Sequence, residues 1–251
     1  MRNPLLRFLY GIYAFTSFGL LLLIIFPAVL LATFFGQPLA GNFTLAASRW
    51  WADAWLFMIG ISHRNMVEAP IEKDKSYVYV SNHISYLDIP LIFKAIRTNK
   101  LRVLGKEEMK KIPIFGVIYS LAVITVNRSS PEKRKKSVQK LIKMLNHHIS
   151  IFVFPEGTFN ETSDPLKFFY NGAFRVAIET GKPIKPVVFL DAKWLMHYSS
   201  IWNIRPGRSR AVILPEIQTA HLNLNELELL KEQTYQVMEA ALLKYGKPDG
   251  R

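Results

Sequence analysis

The chain has 251 residues, half of them apolar, enough for one substantial domain plus an appendage. It has no cysteine, which excludes disulfides, thiolate metal sites and a cysteine nucleophile. Lys and Arg number 32 against 19 Asp and Glu, and a formal net charge of +13 suggests an anionic partner: nucleic acid, an anionic membrane surface or phosphorylated substrates.

From Phe8 to Ser48 there is no charged side chain. The apolar run from Phe8 to Phe35 exceeds the roughly 20 residues that cross a bilayer and the roughly 7–15 of a signal peptide's apolar core. Arg2 and Arg7 favour a cytoplasmic start. A second apolar stretch, LAASRWWADAWLFMIGIS (residues 45–62), carries Arg49 and Asp53 at a spacing that allows them to pair. Its Trp50, Trp51 and Trp55 suit the headgroup level. Pro27 is placed to kink or break the first helix. Residues 1–62 are therefore expected to form a membrane-anchoring helical hairpin. That places residues 63–251 at the cell membrane, on its cytoplasmic face. The same apolar terminus argues against nucleic acid as the anionic partner.

After residue 62 strands and helices alternate. Strands are expected at 77–82, 101–105, 121–126, 150–154, 186–190 and 210–214. The clearest helix starts at Ser130-Pro131 and carries Val138, Leu141, Ile142 and Leu145 at helical spacing. Its other face holds Lys133, Arg134, Lys135, Lys136, Lys140 and Lys143, read as a solvated face, with lipid headgroups or an acidic carrier protein as the alternative contact. A second helix, GAFRVAIET, stops at Gly181 with Pro183 beyond. An amphipathic helix over 222–245 ends the chain, and RPGRSR (205–210) reads as a basic turn. The alternation predicts an α/β fold with a mostly parallel central sheet flanked by helices.

Function in such folds gathers at strand ends. The first expected strand runs into Asn82-His83, with Asp88 five residues on. On one continuous helix these side chains would lie about 140° apart. With His83 in the strand–helix turn and Asp88 in the first helical turn, the carboxylate reaches one ring nitrogen and fixes the tautomer. The other nitrogen is left to take a proton from a hydroxyl. The competing reading makes Asp88 a helix cap, with Ser85 and Asp88 as an S-x-x-D capping box. PEGT (155–158) supplies Glu156 at the end of an apolar strand, Gly157 for close backbone approach, and Thr158 as a donor through hydroxyl and amide, able to face an oxyanion. Lys106 and Arg128, near neighbouring strand ends, could hold a phosphate. The remaining histidines lack comparable carboxylate spacing.

In NHISYLD (82–88) the chain resembles the Asn-His-x-Ser-x-x-Asp signature of the glycerolipid acyltransferases, the 1-acylglycerol-3-phosphate acyltransferase-like family. FPEGT (154–158), Val126-Asn127-Arg128 and KPIKPVVF (182–189) are similar to the family's other blocks, in the same order. The resemblance implies direct acyl transfer from a thioester of coenzyme A or acyl carrier protein to a lysolipid hydroxyl in phospholipid biosynthesis. It implies no metal and no cofactor. It makes His83 the general base and Asp88 its orienter. Asn82, Ser85, Lys106, Arg128, Glu156, Gly157 and Thr158 fall to substrate binding. Where the family usually continues FPEGT with Arg, this chain has Phe159. The missing cation opens the acceptor to a lyso-aminolipid or another lysophospholipid beside 1-acylglycerol-3-phosphate. Lys167 is a candidate replacement. Two other classes remain. A hydrolase lacks its nucleophile, since no G-x-S-x-G occurs. A non-catalytic membrane lipid-binding protein would not need His83, Asp88 and Glu156.

Overall fold

The computed structural model describes residues 4–126 and 131–246. The chain opens with two helices, α1 (Pro4–Ala32) and α2 (Leu39–Met58), and edge strand β1 (Ile61–Val67). There follow β2 (Val78–Ser81), α3 (Asp88–Ala95), β3 (Leu101–Lys106), α4 (Phe115–Ala122) and β4 (Val123–Val126). Next come α5 (Pro131–Asn146), β5 (Ser150–Val153), α6 (Gly172–Thr180), β6 (Ile184–Phe189) and α7 (Ala192–Leu195). Strand β7 (Gly207–Ile213) and helix α8 (Leu227–Tyr245) close the domain.

Among the described residues seven strands form one sheet in the order β1-β7-β6-β2-β5-β3-β4. Every pairing is parallel except β6 with β7. The expected α/β fold with a mostly parallel sheet is thus what the chain adopts. Strands β2, β5, β3 and β4 are adjacent and co-directional, so the segments that follow them emerge along one edge of the sheet.

Alternation along the strands divides the core. Tyr77, Tyr79 and Phe152 face a layer made by α1, α2 and α3, while Val78, Val80 and Ile151 face α5, α6 and α8. A strand with both faces covered must be apolar throughout, which is why these strands were visible as short apolar runs. Leu141 and Leu145 of α5 are buried in the second layer and Lys136, Lys140 and Lys143 are exposed, as the spacing required. Ser130, the expected cap, lies outside the described residues. Helix α6 ends at Gly181 in the left-handed conformation, φ 60°, as its stop signal implied.

Several local expectations are corrected. Strand β1 was not expected. It is an edge strand whose sequence, ISHRNMV, has no apolar run, and the expected domain boundary at 62/63 falls inside it. RPGRSR is not a turn throughout, because β7 starts at Gly207 and buries Arg210, whose guanidinium takes Asp191 by two bonds of 2.9 Å. Arg49 and Asp53 do not pair. Arg49 donates to the carbonyls of Ile96 and Asn99, and Asp53 accepts from Lys94 and Arg97. Trp51 and Trp55 are core residues, 5% and 2% exposed, both edge-on to Phe18. Trp50 alone of the three is open. Helix α1 runs without interruption through Pro27.

Candidate active site

The site begins where β2 runs out. Asn82 is buried, and its side chain replaces the next rung of the ladder. Its Nδ2 donates to the Phe189 carbonyl at 2.9 Å, and the Phe189 amide donates to its Oδ1 at 2.8 Å. The chain is thereby fixed to the end of β6 just before it turns. Ser85 is also fully buried, donating to the Met196 carbonyl at 2.6 Å and accepting from the Leu87 amide.

Between these anchors His83 meets Asp88, which opens α3. The Nδ1···Oδ2 distance is 2.8 Å. The same oxygen accepts the amides of Ile84 at 2.7 Å and Ser85 at 2.9 Å. Orienter and turn-holder, posed as alternatives by the sequence, are one atom. The amide bond from Ser85 is half of the expected capping box, while the Ser85 hydroxyl goes elsewhere. With Nδ1–H committed to the carboxylate, Nε2 is the basic nitrogen. Burial pushes the Asp88 carboxyl above its ordinary range, opposed chiefly by the hydrogen bond and charge of His83.

The turn after β5 clamps His83 from the other side. Glu156, 2% exposed, accepts the His83 amide on Oε1 at 2.9 Å and the Lys167 amide on Oε2 at 3.0 Å. Burial lifts its carboxyl to about 7, against the pull of those two amides. The Asn160 amide donates back to the His83 carbonyl at 2.7 Å. Gly157 has φ 72°, a conformation that favours glycine, and its amide is spent on the Phe154 carbonyl. The imidazole itself lies between Phe154, stacked at 4.0 Å, and Phe159, tilted at 4.2 Å. Backbone, tautomer and ring plane are each held by a separate contact.

The expected substrate-binding residues therefore divide. Asn82, Ser85 and Glu156 are buried, and their polar atoms serve the main chain, so they position His83. Thr158 is exposed and accepts from Lys167 Nζ at 2.9 Å. Lys106 is exposed at the end of β3, two strands along the sheet from His83. Arg128 lies outside the described residues. Sequence reasoning missed the aromatic frame: Phe159 also packs on Tyr86 at 4.8 Å and on Tyr198 at 6.2 Å. Phe154 and Phe159, flanking PEGT, were the available signal. Tyr198 comes from beyond α7, too far along the chain for spacing to reveal it. Further along the same edge, an apolar groove of about 460 Å³ opens between Phe18 and Leu22 of α1 and the Ile112–Phe115 segment.

The chain is 28% identical over 178 residues to the chloroplastic 1-acyl-sn-glycerol-3-phosphate acyltransferase of Arabidopsis thaliana, covering 70% of this chain and 49% of that one. It is 31% identical over 144 residues to the 1-acyl-sn-glycerol-3-phosphate acyltransferase of Haemophilus influenzae, covering 56% and 58%. The chain thus spans about half the length of these two relatives. Its fold matches the crystal structure of the 1-acyl-sn-glycerophosphate acyltransferase of Thermotoga maritima, with a TM-score of 0.77 over 98% of both chains at 22% identity. Residues 63–190 match the family model named Acyltransferase, a span that includes His83, Asp88 and Glu156, and the chain belongs to that family.

Proposed function

We propose that the protein is a membrane-bound O-acyltransferase that moves a fatty acyl group from a thioester of coenzyme A or acyl carrier protein to a lysolipid hydroxyl, with 1-acylglycerol-3-phosphate as the leading acceptor. The observation that carries this is the 2.8 Å contact between His83 and Asp88 at a strand end, with Nε2 left as the base. His83 Nε2 takes the proton of the acceptor hydroxyl as its oxygen attacks the thioester carbonyl. The C–O bond forms, the carbonyl electrons move to oxygen, and the imidazolium is stabilised by Asp88. On collapse the C–S bond breaks and the thiolate takes the proton from His83. No protein nucleophile, metal or cofactor enters this scheme. The apolar groove beside α1 suits an acyl chain. A different lysolipid acceptor is the second reading, favoured by Phe159 at the base.

The helices fit a face dipped into one leaflet. An α1 of this length is about 43 Å long, yet it is held along its course. Arg7 bonds Asn203, Phe8 and Phe15 pack on Trp202, and Trp55 Nε1 donates to the Ala14 carbonyl at 2.9 Å. Leu20, Leu23, Ile24 and Leu31 on its outer side are exposed. Burying that side in lipid would hold the domain at the bilayer surface next to its lipid substrates, and the proposed side is the cytoplasmic face. Single engineered cysteines probed with a membrane-impermeant thiol reagent test the placement, and labelling of residues beyond 63 only from outside would refute it.

The activity is tested with purified protein in neutral detergent, labelled acyl-coenzyme A or acyl carrier protein, and a panel of lysolipids. Transfer to at least one acceptor, lost in His83→Ala with folding intact, is expected. The general base contributes roughly 10²–10⁴-fold. Undiminished transfer by His83→Ala would exclude the mechanism.

A further inference from the structure

The mouth of the site is aromatic on one side, where Phe159, Tyr86 and Tyr198 pack together next to the imidazole. Among the described residues, Lys193 Nζ lies 5.4 Å from the Tyr198 ring centroid, and a second cation, Lys167, also comes from outside the sequence motifs. The Lys167 amide is tied to Glu156, the same carboxylate that holds the His83 amide, so the root of this side chain is fixed relative to the base. From there the side chain reaches back along the turn. Its Nζ lies 2.9 Å from Thr158 Oγ1 and 3.4 Å from the Phe159 carbonyl. Both partners are neutral oxygens. An ammonium has three donors, so one N–H remains beside the Phe159 turn, and among the described residues no carboxylate pairs with Nζ directly, Glu156 attracting it only from longer range. A neutral amide side chain would hold the turn equally well. A half-buried cation there makes sense if an anion arrives.

The geometry points to Lys167 as the residue that holds the anionic headgroup of the acyl acceptor, with Phe159 forming the apolar wall between that headgroup and His83. This rests on the acyl-transfer reading above. Lysine offers a point charge, whereas arginine offers a planar fork matched to phosphate. The site therefore selects for a negative oxygen more than for a particular headgroup. Phosphomonoester, phosphodiester and carboxylate lysolipids share that chemistry.

The test uses full-length protein in neutral-detergent micelles, so that no charged membrane contributes. Acceptors are monoacylglycerol, 1-acylglycerol-3-phosphate, lysophosphatidylglycerol and a hydroxylated lipid with a carboxylate headgroup; the last three separate the possible sources of the anion. Variants are Lys167→Met and Lys167→Arg, with thermal unfolding as the folding control. Loss of a charged hydrogen bond predicts a roughly 10- to 100-fold rise in KM for the anionic acceptors in Lys167→Met. Its kcat should stay within about threefold, since the interaction binds substrate and transition state alike. KM for monoacylglycerol should not move, and Lys167→Arg should keep the preference for anions. Equal damage on charged and uncharged acceptors would reduce Lys167 to a turn-holder, and unchanged kinetics would remove it altogether. Should Lys167→Met not fold, loss of the anion preference in Lys167→Gln decides the same question. If the wild type acylates no lysolipid from either donor, acyl transfer itself falls and the inference goes with it. An active wild type with an indifferent Lys167→Met overturns only the lysine's role.

Discussion

Asp88→Asn is the sharpest perturbation this site allows, because one oxygen serves two purposes. Oδ2 accepts His83 Nδ1, the Ile84 amide and the Ser85 amide. In the asparagine, the carbonyl oxygen must take that place, since an NH₂ there would face two amide donors. The turn and the imidazole tautomer then survive, with neutral bonds in place of charge-assisted ones of about twice the strength. What disappears is the negative charge beside the imidazolium formed during transfer. At about 4 Å and an effective dielectric constant of 20 that attraction is about 4 kcal/mol, close to a thousandfold in rate at 1.36 kcal/mol per decade. Stability should also fall. Oδ1 is buried with no partner among the described residues. An NH₂ at that position is an unsatisfied donor costing about 1–3 kcal/mol.

The assay is kcat for acyl transfer in micelles, with denaturant unfolding in the same detergent. Asp88→Asn should lose about 10²–10⁴-fold in kcat with little change in acceptor KM. The decisive comparison is a double-mutant cycle. In a His83→Ala background there is no imidazolium to stabilise, so Asp88→Asn should cost almost no further activity. A kcat within threefold of wild type for the single variant would refute the electrostatic role. So would an additive loss in the double variant.

Asn82→Ala should unfold at lower denaturant, by about 2–5 kcal/mol, because the Phe189 amide and carbonyl both lose a buried partner; a change under 1 kcal/mol would deny it the anchoring role. Burial lifts the folded Glu156 carboxyl to about 7, above its ordinary 4.5, so its contribution favours the fold below pH 4.5 and is lost as pH rises to 7. Unfolding free energy should therefore decline across that window by at most about 3 kcal/mol, and Glu156→Gln should flatten the slope. Trp55→Ala removes a 2%-exposed ring that joins α1 to the core. About 3–5 kcal/mol is expected for such a truncation, and the thermal midpoint should fall accordingly.

Legibility in the sequence followed burial. Strands covered on both faces, such as β2 and β5, had to be apolar, and the polar residues after them stood out as site candidates. Edge strand β1 had no such constraint on its exposed side, so ISHRNMV carried no signal. The two tryptophans of α2 illustrate the converse. An amphipathic ring serves a membrane interface and a core equally well, and only the contact with Phe18 distinguishes them. Lys167 could be named from the sequence as a replacement cation but not placed: the Glu156 carboxylate, bonded to its amide, brings it beside the Phe159 turn, and no spacing rule encodes that bond.

The ambiguity between capping and catalysis at Asp88 has a physical origin. A base of this kind must be rigid, and the cheapest rigid point in a parallel sheet is the turn between a strand and its helix. An acid placed there to aim the ring is also adjacent to the turn's unpaired amides. The same logic explains the inward-facing Glu156. Its oxygens join the two turns that carry His83 and Lys167, so base and headgroup cation are registered to one carboxylate across neighbouring strands. A shift of either turn would then alter both proton transfer and acceptor binding. For that reason Glu156 substitutions should move kcat and KM together, where Lys167→Met moves KM alone.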